Sequence, residues 1–450
     1  MSIVNEDGFD LGMCVEYLKN IGKLKIIEEE TDPRYHLAEV AQKFEGTEPV
    51  YFPRVKEAPY PVLVGLYWNR EVLAHIFGCS ALELPQQVRE AVLRWQKREH
   101  KYKPEIIDKG PANQLTELPL DLTSLPVPIH FLEDGGPYFL SSVVLAKDPD
   151  TGVHNASVHR LMVTGPQRLT MLIDKGRHLR DYYERAAARG EPLEITINNG
   201  IDPALYLASL VPPSSAPLQA NELEIASEFT GRPLELLRSR SVEVESVANS
   251  QFIIEGRILP HIKEMEGPCA EVTGYYAERG ERWVVEVSAI TAKQDPVLHT
   301  LLPGKEVYNS VGLTGEANVC ALLQAQVPEV KNVHFPHGGC GFYQAVVKIE
   351  KVSEGAQKNA IMAAFAAFPS LRIVTAVDED VDIYNPEDVA WAVSTRFDPE
   401  RDTILIKDAK SHELNPMSKG GIGSKMGIDA TAPFPRPHQF KRVCTEESGI

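Results

Sequence analysis

The 450-residue sequence is poor in cysteine, and its six cysteines are scattered without paired spacing. A disulfide-stabilised extracellular domain needs a closely spaced cysteine framework, which this sequence does not contain. The isolated thiols therefore predict a reduced, cytoplasmic protein. They are Cys14, Cys79, Cys269, Cys320, Cys340 and Cys444.

Long apolar runs are also missing. A membrane-spanning helix needs about 20 consecutive apolar residues, whereas the longest helical apolar patch is AIMAAFAAF at 360–368. The first residues, MSIVNEDGFDLGMC, have no basic stretch followed by an apolar run, so they do not resemble a secretory signal. We expect no membrane span, and we expect residues 360–368 to form a core helix.

Positive charge is scarce, since 46 Lys and Arg stand against 63 Asp and Glu, a formal net charge of 46 − 63 = −17. A non-specific nucleic-acid binder needs a basic surface to contact phosphates. A nucleic-acid partner is therefore not expected, although a local basic pocket is compatible with this charge. Internal repeats and low-complexity tracts are absent as well, which excludes repeat architectures.

The pattern of elements divides the chain into three parts. Residues 1–112 alternate helical and strand patterns, and residues 113–300 are mostly strand-like after a proline-rich connector. Residues 301–450 return to alternation. The predicted fold class is thus α/β and β, with an N-terminal α/β domain, a β-rich central domain and a C-terminal α/β domain. Turn residues at 148–152 and 164–166 predict two hairpins in the central domain.

The segment HNASVHRLMV (154–163) concentrates polar side chains just before an apolar strand end. In a regular strand Asn155, Ser157 and His159 would share one face, and Arg160 would lie on the other. If Asn155 and Arg160 serve one site, the strand must be irregular or a ligand must run along it. The alternative is an exposed sheet face with ordinary polar residues, and the segment alone favours that alternative.

Two helix starts and one turn carry further candidates. His178 opens a helix, where it could meet an anion or ligate a metal, and Glu222 opens another; each alone is more simply a first-turn residue. Glu266 and Glu271 flank Gly267-Pro268, which excludes regular structure between them. These carboxylates could form an acid/base pair or belong to an acidic surface loop.

Three other patterns carry weaker signals. SKGGIGSKMGIDAT (418–431) predicts a flexible glycine-rich loop, with phosphate contact as the alternative, because it lacks the P-loop spacing. HFPHGGC, with His334, His337 and Cys340, lacks a second ligand pair and predicts a structural loop. AVDEDVDIYNPED lacks the glycine and distal glutamate of a calcium loop and predicts a turn into a capped helix.

Taken in order, these segments resemble the UbiD family of prenylated-flavin-dependent reversible decarboxylases over nearly the whole chain. The resemblance implies a central split β-barrel related to flavin reductases between two α/β domains, and a homodimer or an assembly of dimers in which the C-terminal segment takes part. The motifs that carry it are NASVHR, RHLRDYYERAAARGEPLEITINNGIDPALYLAS, NELEIASEFTGRPLEL, FIIEGRI, EGPCAEVTGYY, AVDEDVDIYNPEDVAWAVSTRF and GSKMGIDAT.

The resemblance implies prenylated FMN as cofactor, delivered by a flavin prenyltransferase. The phosphate of this cofactor would be held through a divalent ion, usually Mn²⁺, with K⁺ or Na⁺ nearby. The ligands of the divalent ion would be Asn155, His178 and Glu222, a donor set that suits a hard or borderline cation. The residues implied to contact the cofactor are Asn155, Ser157, Val158, His159, Arg160, Arg177, His178, Glu222 and Lys425.

The same resemblance implies a catalytic trio of Arg160, Glu266 and Glu271. Glu271 would protonate the substrate carbon after CO₂ leaves, and Glu266 would pair with Arg160. This chain has Cys269 and Ala270 where the family commonly has an aromatic residue and glycine. We expect that difference to alter the shape of the pocket more than its chemistry.

The implied function is non-oxidative decarboxylation of an α,β-unsaturated or (hetero)aromatic carboxylic acid, with a furan- or pyrrole-type acid as a candidate. One alternative is a hydroxybenzoate or polyprenyl-hydroxybenzoate decarboxylase. An alternative of another class is a catalytically inactive flavin-binding module. His299, within 298–314, is either a hydrogen-bonding partner of a substrate substituent or a structural histidine.

Overall fold

A computed structural model describes residues 3–5, 9–99, 101–108, 115–212, 215–218 and 220–443. The chain divides into two compact units, Met1–Thr314 and Gly315–Ile450. The predicted domain boundary after residue 112 lies outside the described residues, and so does the end of the C-terminal segment that is expected to take part in the dimer, residues 444–450.

The described residues form ten α-helices, and none of them is long and apolar enough to cross a bilayer. The apolar patch at residues 360–368 falls largely in helix α9, Ala356–Ala367, as the sequence predicts. The helices are α1 Leu11–Asn20, α2 His36–Gln42, α3 Arg70–Phe77, α4 Leu84–Gln96, α5 His178–Ala188, α6 Pro203–Ala208, α7 Glu222–Thr230, α8 Lys305–Gln326, α9 Ala356–Ala367 and α10 Pro386–Arg396.

The strands are mostly short, and two long ones, β14 and β17, run through the first unit. Those of the first unit are β1 Lys25–Ile26, β2 Val50–Phe52, β3 Val62–Val64, β4 Glu105–Ile106, β5 Thr116–Glu117, β6 Tyr138–Phe139, β7 Val143–Lys147, β8 His154–Val158, β9 Leu161–Gly165, β10 Arg168–Met171, β11 Leu193–Asn199, β12 Glu235–Leu237, β13 Ser246–Val247, β14 Phe252–Glu266, β15 Cys269–Ala270, β16 Tyr276–Ala277, β17 Gly280–Ala292 and β18 Leu298–His299. Those of the second unit are β19 Val330–His334, β20 Gln344–Ile349, β21 Ile373–Asp378, β22 Thr403–Lys410 and β23 Ile422–Ala430.

A nine-stranded sheet dominates the first unit, in the order β6-β9-β10-β17-β14-β11-β7-β8, with β5 paired to β17. The predicted hairpins are confirmed, because β7 pairs antiparallel with β8 and β9 with β10. Over the described residues this order joins the strands as an open path, with no pairing between β6 and β8. The apolar face of α5, including Leu179 and Tyr182, packs into the same core as Ile195 and Ile254 of the sheet.

Local capping signals position two helices that matter for the site. The Asn221 side chain accepts a hydrogen bond from the Leu223 backbone N–H and starts α7, and Gly231 ends it in the left-handed conformation. After α5 the chain turns at Gly190, which has a φ of 73°.

Asn385 caps the start of α10, as its sequence predicts, because its side chain accepts a hydrogen bond from the Glu387 backbone N–H.

The second unit contains a five-stranded sheet in the order β19-β20-β21-β23-β22. The prediction of a flexible loop at 418–431 is wrong, because residues 422–430 form β23 between β21 and β22. Only Gly420 and Gly421 make the turn, both with positive φ. Gly427 serves packing instead, since a Cβ there would lie 2.5 Å from Ile361 of α9.

Candidate functional site

The segment HNASVHRLMV is two strands rather than one. Strand β8 ends at Val158 and pairs with β7, whereas β9 begins at Leu161 and pairs with β6 and β10. His159 and Arg160 form the connection between them. The expected irregularity is confirmed, so Asn155 and Arg160 are not fixed on opposite faces of one strand.

A chain of hydrogen bonds orders the polar side chains of β8. The Asn155 amide Nδ2 donates to Ser157 Oγ at 2.9 Å, and Ser157 Oγ lies 2.9 Å from His159 Nε2. His159 Nδ1 lies 3.1 Å from the Leu172 carbonyl, which can only accept, so Nδ1 carries the proton. Burial lowers the pKa of His159 to about 4, so the neutral ring accepts from Ser157 at Nε2. This direction of donation leaves the Asn155 amide oxygen outside the chain.

The other two predicted metal ligands lie beside Asn155. Glu222, the first residue of α7, is only 4% exposed, and its Oε2 accepts from the backbone N–H of Ala156 at 3.0 Å. Its Oε1 lies 3.5 Å from Nδ1 of His178, the first residue of α5. Two helix starts thus bring an imidazole and a carboxylate together beside the backbone of the residue after Asn155. With the Asn155 amide they would form a donor set that fits a hard or borderline divalent cation.

Metal clusters of other composition are not found in the described part of the chain, where no three His, Cys, Asp or Glu side chains converge. In HFPHGGC, which is predicted to be a structural loop, His334 Nδ1 lies 2.8 Å from Glu316 Oε1.

Arg160 joins both predicted catalytic carboxylates. Its Nη2 donates to Glu266 Oε2 at 3.0 Å, and its Nε lies 3.0 Å from Glu266 Oε1 as part of the same ion pair. Its Nη1 donates to Glu271 Oε1. The side chains of Arg160, Glu266 and Glu271 are 9%, 1% and 17% exposed, so all three interact in a largely water-excluded setting.

The protonation of this network follows from its charges. Burial raises the pKa of Glu271, and the attraction of Arg160 opposes that shift without cancelling it. For Arg160, burial alone would lower the pKa, but Glu271 and Glu266 outweigh it and the pKa is raised. Arg160 thus faces both carboxyl groups, and burial biases Glu271 towards its neutral acid.

Sequence reasoning missed a segment that holds the two glutamates. In the connector, Asp134 Oδ1 accepts from the Ala270 backbone N–H at 2.8 Å, and the Gly135 N–H donates to the Pro268 carbonyl at 2.8 Å. The Tyr138 hydroxyl donates to Glu266 Oε1 at 2.8 Å. The one signal available in the sequence was the glycine pair in EDGGPYF, which marks a close backbone approach.

Gly135→Ala tests that close approach. A Cβ at Gly135 would lie 2.3 Å from the Gly267 carbonyl oxygen, so the turn between the glutamates must shift. We expect the variant to lose about 1–3 kcal/mol of unfolding free energy, measured by chemical denaturation. Gly338→Ala is the control, because a Cβ there meets open space. Equal stability of the two variants would contradict the proposed anchoring.

The remaining predicted cofactor residues are in diverse settings. Val158 ends β8 opposite Val143, and Arg177 immediately precedes α5 as its N-cap. Lys425 belongs to the second unit, where its Nζ donates to the carbonyls of Pro369 at 2.6 Å and Leu371 at 2.8 Å. Burial lowers the pKa of Lys425 to about 8. Their contacts with a cofactor stay predictions.

His299 is buried in β18 and neutral, because burial lowers its pKa to about 3. Its backbone is fixed by Asn199, whose Oδ1 accepts from the His299 N–H at 2.9 Å and whose Nδ2 donates to the His299 carbonyl at 2.8 Å. Its ring Nε2 has no hydrogen-bond partner among the described residues. An unpaired buried ring nitrogen is costly unless a ligand or water meets it.

Comparison with known families finds three matching models in chain order. They are described as the N-terminal, Rift-related and C-terminal domains of 3-octaprenyl-4-hydroxybenzoate carboxy-lyase, and they match residues 15–92, 105–306 and 309–430.

Similar proteins cover nearly the whole length of the chain. An anhydromevalonate phosphate decarboxylase from Methanothermobacter thermautotrophicus is 36% identical over 96% of this chain and 99% of its own length. The UbiD-class enzyme HmfF from Pelotomaculum thermopropionicum, solved in complex with FMN, is 38% identical with a TM-score of 0.91, covering 97% of both chains. The apo 3,4-dihydroxybenzoic acid decarboxylase AroY from Klebsiella pneumoniae is 28% identical with a TM-score of 0.90, again over 97% of both chains.

Proposed function

The chain belongs to the UbiD family of carboxy-lyases, and we propose that it is a prenylated-FMN-dependent, reversible, non-oxidative decarboxylase of an α,β-unsaturated or (hetero)aromatic carboxylic acid. The observation that carries this proposal is the contact of Arg160 with both Glu266 and Glu271 in a buried setting. A guanidinium offers two-point recognition of a reacting carboxylate. The adjacent Glu271, biased towards its neutral form, offers a proton.

In this proposal Arg160 orients the substrate carboxylate and Glu266 keeps Arg160 in place. When the bond to CO₂ breaks, the electron pair stays on the substrate carbon, and Glu271 delivers a proton to that carbon. In the reverse direction Glu271 takes the proton back. The prenylated flavin, when bound, supplies the electron sink for the carbanion-like charge.

The residues present fit the cofactor that the proposal requires. Asn155, His178 and Glu222 would hold Mn²⁺ or a similar divalent ion beneath the flavin phosphate, with K⁺ or Na⁺ close by. The support is the geometry of Glu222, whose carboxylate lies against His178 and the backbone beside Asn155. The other residues proposed to line the flavin are Ser157, Val158, His159, Arg160, Arg177 and Lys425.

The substrate is proposed at the level of candidate classes. A furan- or pyrrole-type acid is supported by the buried, unpaired Nε2 of His299, which could bind a ring heteroatom or substituent. A hydroxybenzoate-type acid is supported by the similarity to AroY, and a non-aromatic unsaturated acid by the similarity to anhydromevalonate phosphate decarboxylase. The inactive flavin-binding module is disfavoured, because the full trio is present and joined.

The organisation of the protein is part of the proposal. We assign three domains to residues 1–112, 113–300 and 301–450. We propose that the nine-stranded sheet of the first unit is the split β-barrel. The family models at 15–92, 105–306 and 309–430 support this division. A homodimer or an assembly of dimers is proposed from the resemblance, with a flavin prenyltransferase as the supplier of cofactor.

The test is purification after co-expression with a flavin prenyltransferase. We expect flavin absorbance and one bound divalent ion per chain. In D₂O, NMR should then show loss of carboxylate, and deuterium at the reacting carbon, for one acid of a panel. The panel contains 2-furoate, pyrrole-2-carboxylate, 4-hydroxybenzoate, 3,4-dihydroxybenzoate and anhydromevalonate phosphate. Purified protein that contains neither flavin nor metal would contradict the proposal. Protein that binds both but decarboxylates none of the acids tested would favour the flavin-binding module.

A further inference from the structure

Glu266 has more hydrogen-bond donors around it than the catalytic trio requires. Besides Arg160, the Tyr138 hydroxyl donates to Glu266 Oε1 at 2.8 Å, and Arg282 Nε lies 3.3 Å from Glu266 Oε2. Tyr138 is fully buried in β6, and Arg282 comes from β17. Both carboxylate oxygens of Glu266 are therefore held from three separate elements. Hydrogen bonds and cations of this kind favour the ionised form of a carboxyl group.

Glu271 is held differently. Among the described residues its side chain contacts Arg160, and burial, together with the nearby charges of Asp174 and Glu266, raises its pKa. Two carboxyl groups that share Arg160 in a buried site compete for the same proton. The Tyr138 hydroxyl of β6 and the Arg282 cation of β17 decide that competition, because they stabilise charge on Glu266 and not on Glu271.

We infer that Tyr138 is a positioning residue that, with Arg282, fixes Glu266 as the carboxylate of the pair and so leaves the transferable proton on Glu271. The kinetic consequence rests on the proposed function, whereas the location of the proton can be measured without turnover. Tyr138 lies outside the predicted trio of Arg160, Glu266 and Glu271.

The other titratable groups near Glu266 do not disturb this assignment. Burial raises the pKa of the Cys269 thiol and of the Tyr138 hydroxyl, so both remain protonated at neutral pH. Tyr138 therefore donates rather than accepts. The groups that face Glu266 or interact with its charge are Tyr138, Arg160, Cys269, Glu271 and Arg282.

The first arm of the test locates the proton by infrared spectroscopy in mildly acidic buffer, without substrate. The difference spectrum between each protein and its Glu271→Gln variant isolates the protonated carboxyl band of this pair. It also removes Glu306, whose pKa burial raises to about 8. In the wild-type background we expect this difference band at full intensity, because Glu271 carries the proton. In the Tyr138→Phe background we expect a weaker difference band, because Glu266 then holds part of the proton.

The second arm is kinetic and uses the holoenzyme with the panel acid that it turns over. Tyr138→Phe should lower kcat about tenfold with KM little changed, since one hydrogen bond to a charged group is lost. The acidic limb of the kcat profile should move to higher pH by about one unit. Arg282→Lys, at a more exposed position, should move the limb in the same direction by less. Tyr17→Phe, which removes a hydroxyl that donates to the His75 carbonyl at 3.3 Å, is the control.

A difference band of wild-type intensity in the Tyr138→Phe background would overturn the inference, even if the enzyme is active. The inference would also be overturned if the loss of kcat in Tyr138→Phe is explained by lower thermal stability and the pH profile of kcat is unchanged. If no acid of the panel is turned over, the proposed function is in question, and the infrared arm alone decides the role of Tyr138.

Discussion

Replacement of Glu271 by glutamine is expected to lower kcat by at least about 100-fold while flavin and metal remain bound. A positioned general acid contributes about 10²–10⁴-fold to rate, and an amide cannot deliver the proton. The glutamine oxygen can still accept from Arg160 Nη1, so the local geometry should survive. The measurements are CO₂ release, flavin absorbance and metal content of the purified variant.

Glu264→Gln is the matched control for that variant. Glu264 lies in the same strand as Glu266, but its side chain is 37% exposed and pairs with Arg168 at 2.6 Å. We expect its kcat to stay within about twofold of wild type, because an exposed ion pair contributes little. Turnover of Glu271→Gln with undiminished deuterium incorporation would show that another group supplies the proton.

A variant of Arg160 would be less informative than these. Loss of one partner of a buried ion pair costs about 3–5 kcal/mol, since it leaves charge uncompensated. Two carboxyl groups depend on Arg160, so its removal would mix instability with lost chemistry. Substitution at Glu271 separates the two effects, because it removes a proton donor and retains the cation with its second carboxylate.

Features determined by neighbouring residues could be predicted from the sequence. Asn221 and Gly231 bound α7, and turn residues at 148–152 and 164–166 join antiparallel strands. Each depends on a few consecutive residues with strong conformational preferences. The irregularity between Asn155 and Arg160 could also be anticipated, because their odd spacing conflicts with a single shared site.

Features determined by distant packing could not be derived in this way. Arg160 is 106 residues from Glu266 and 111 from Glu271, so only the family resemblance suggested their association. Tyr138 is 128 residues from Glu266, and no local pattern indicates that its hydroxyl reaches that carboxylate. The prediction at 418–431 failed for a related reason: sheet pairing and the contact with α9 outweighed the flexibility of its glycines.

The second large effect is expected at Glu222. Glu222→Gln should reduce bound divalent metal by at least about 100-fold in affinity, since it removes the anionic ligand of the proposed set. Flavin should be lost with the metal, because an acidic protein has few other means to neutralise the flavin phosphate. Asn155→Ala should have the same effect through loss of the amide oxygen. The measurements are metal analysis and flavin absorbance after co-expression with a flavin prenyltransferase, and neither requires a substrate.

Glu224→Gln separates this effect from damage to the helix. Glu224 lies two residues further along α7, and its carboxylate accepts from Trp95 Nε1 at 2.9 Å rather than facing His178. We expect this variant to retain metal and flavin, because the first-turn charge it removes is worth only about 0.3–1 kcal/mol to the helix. If Glu222→Gln keeps its metal while Glu224→Gln loses it, the cation lies elsewhere on α7. If both retain flavin without metal, the phosphate is held by side chains alone and the ion is not part of the site.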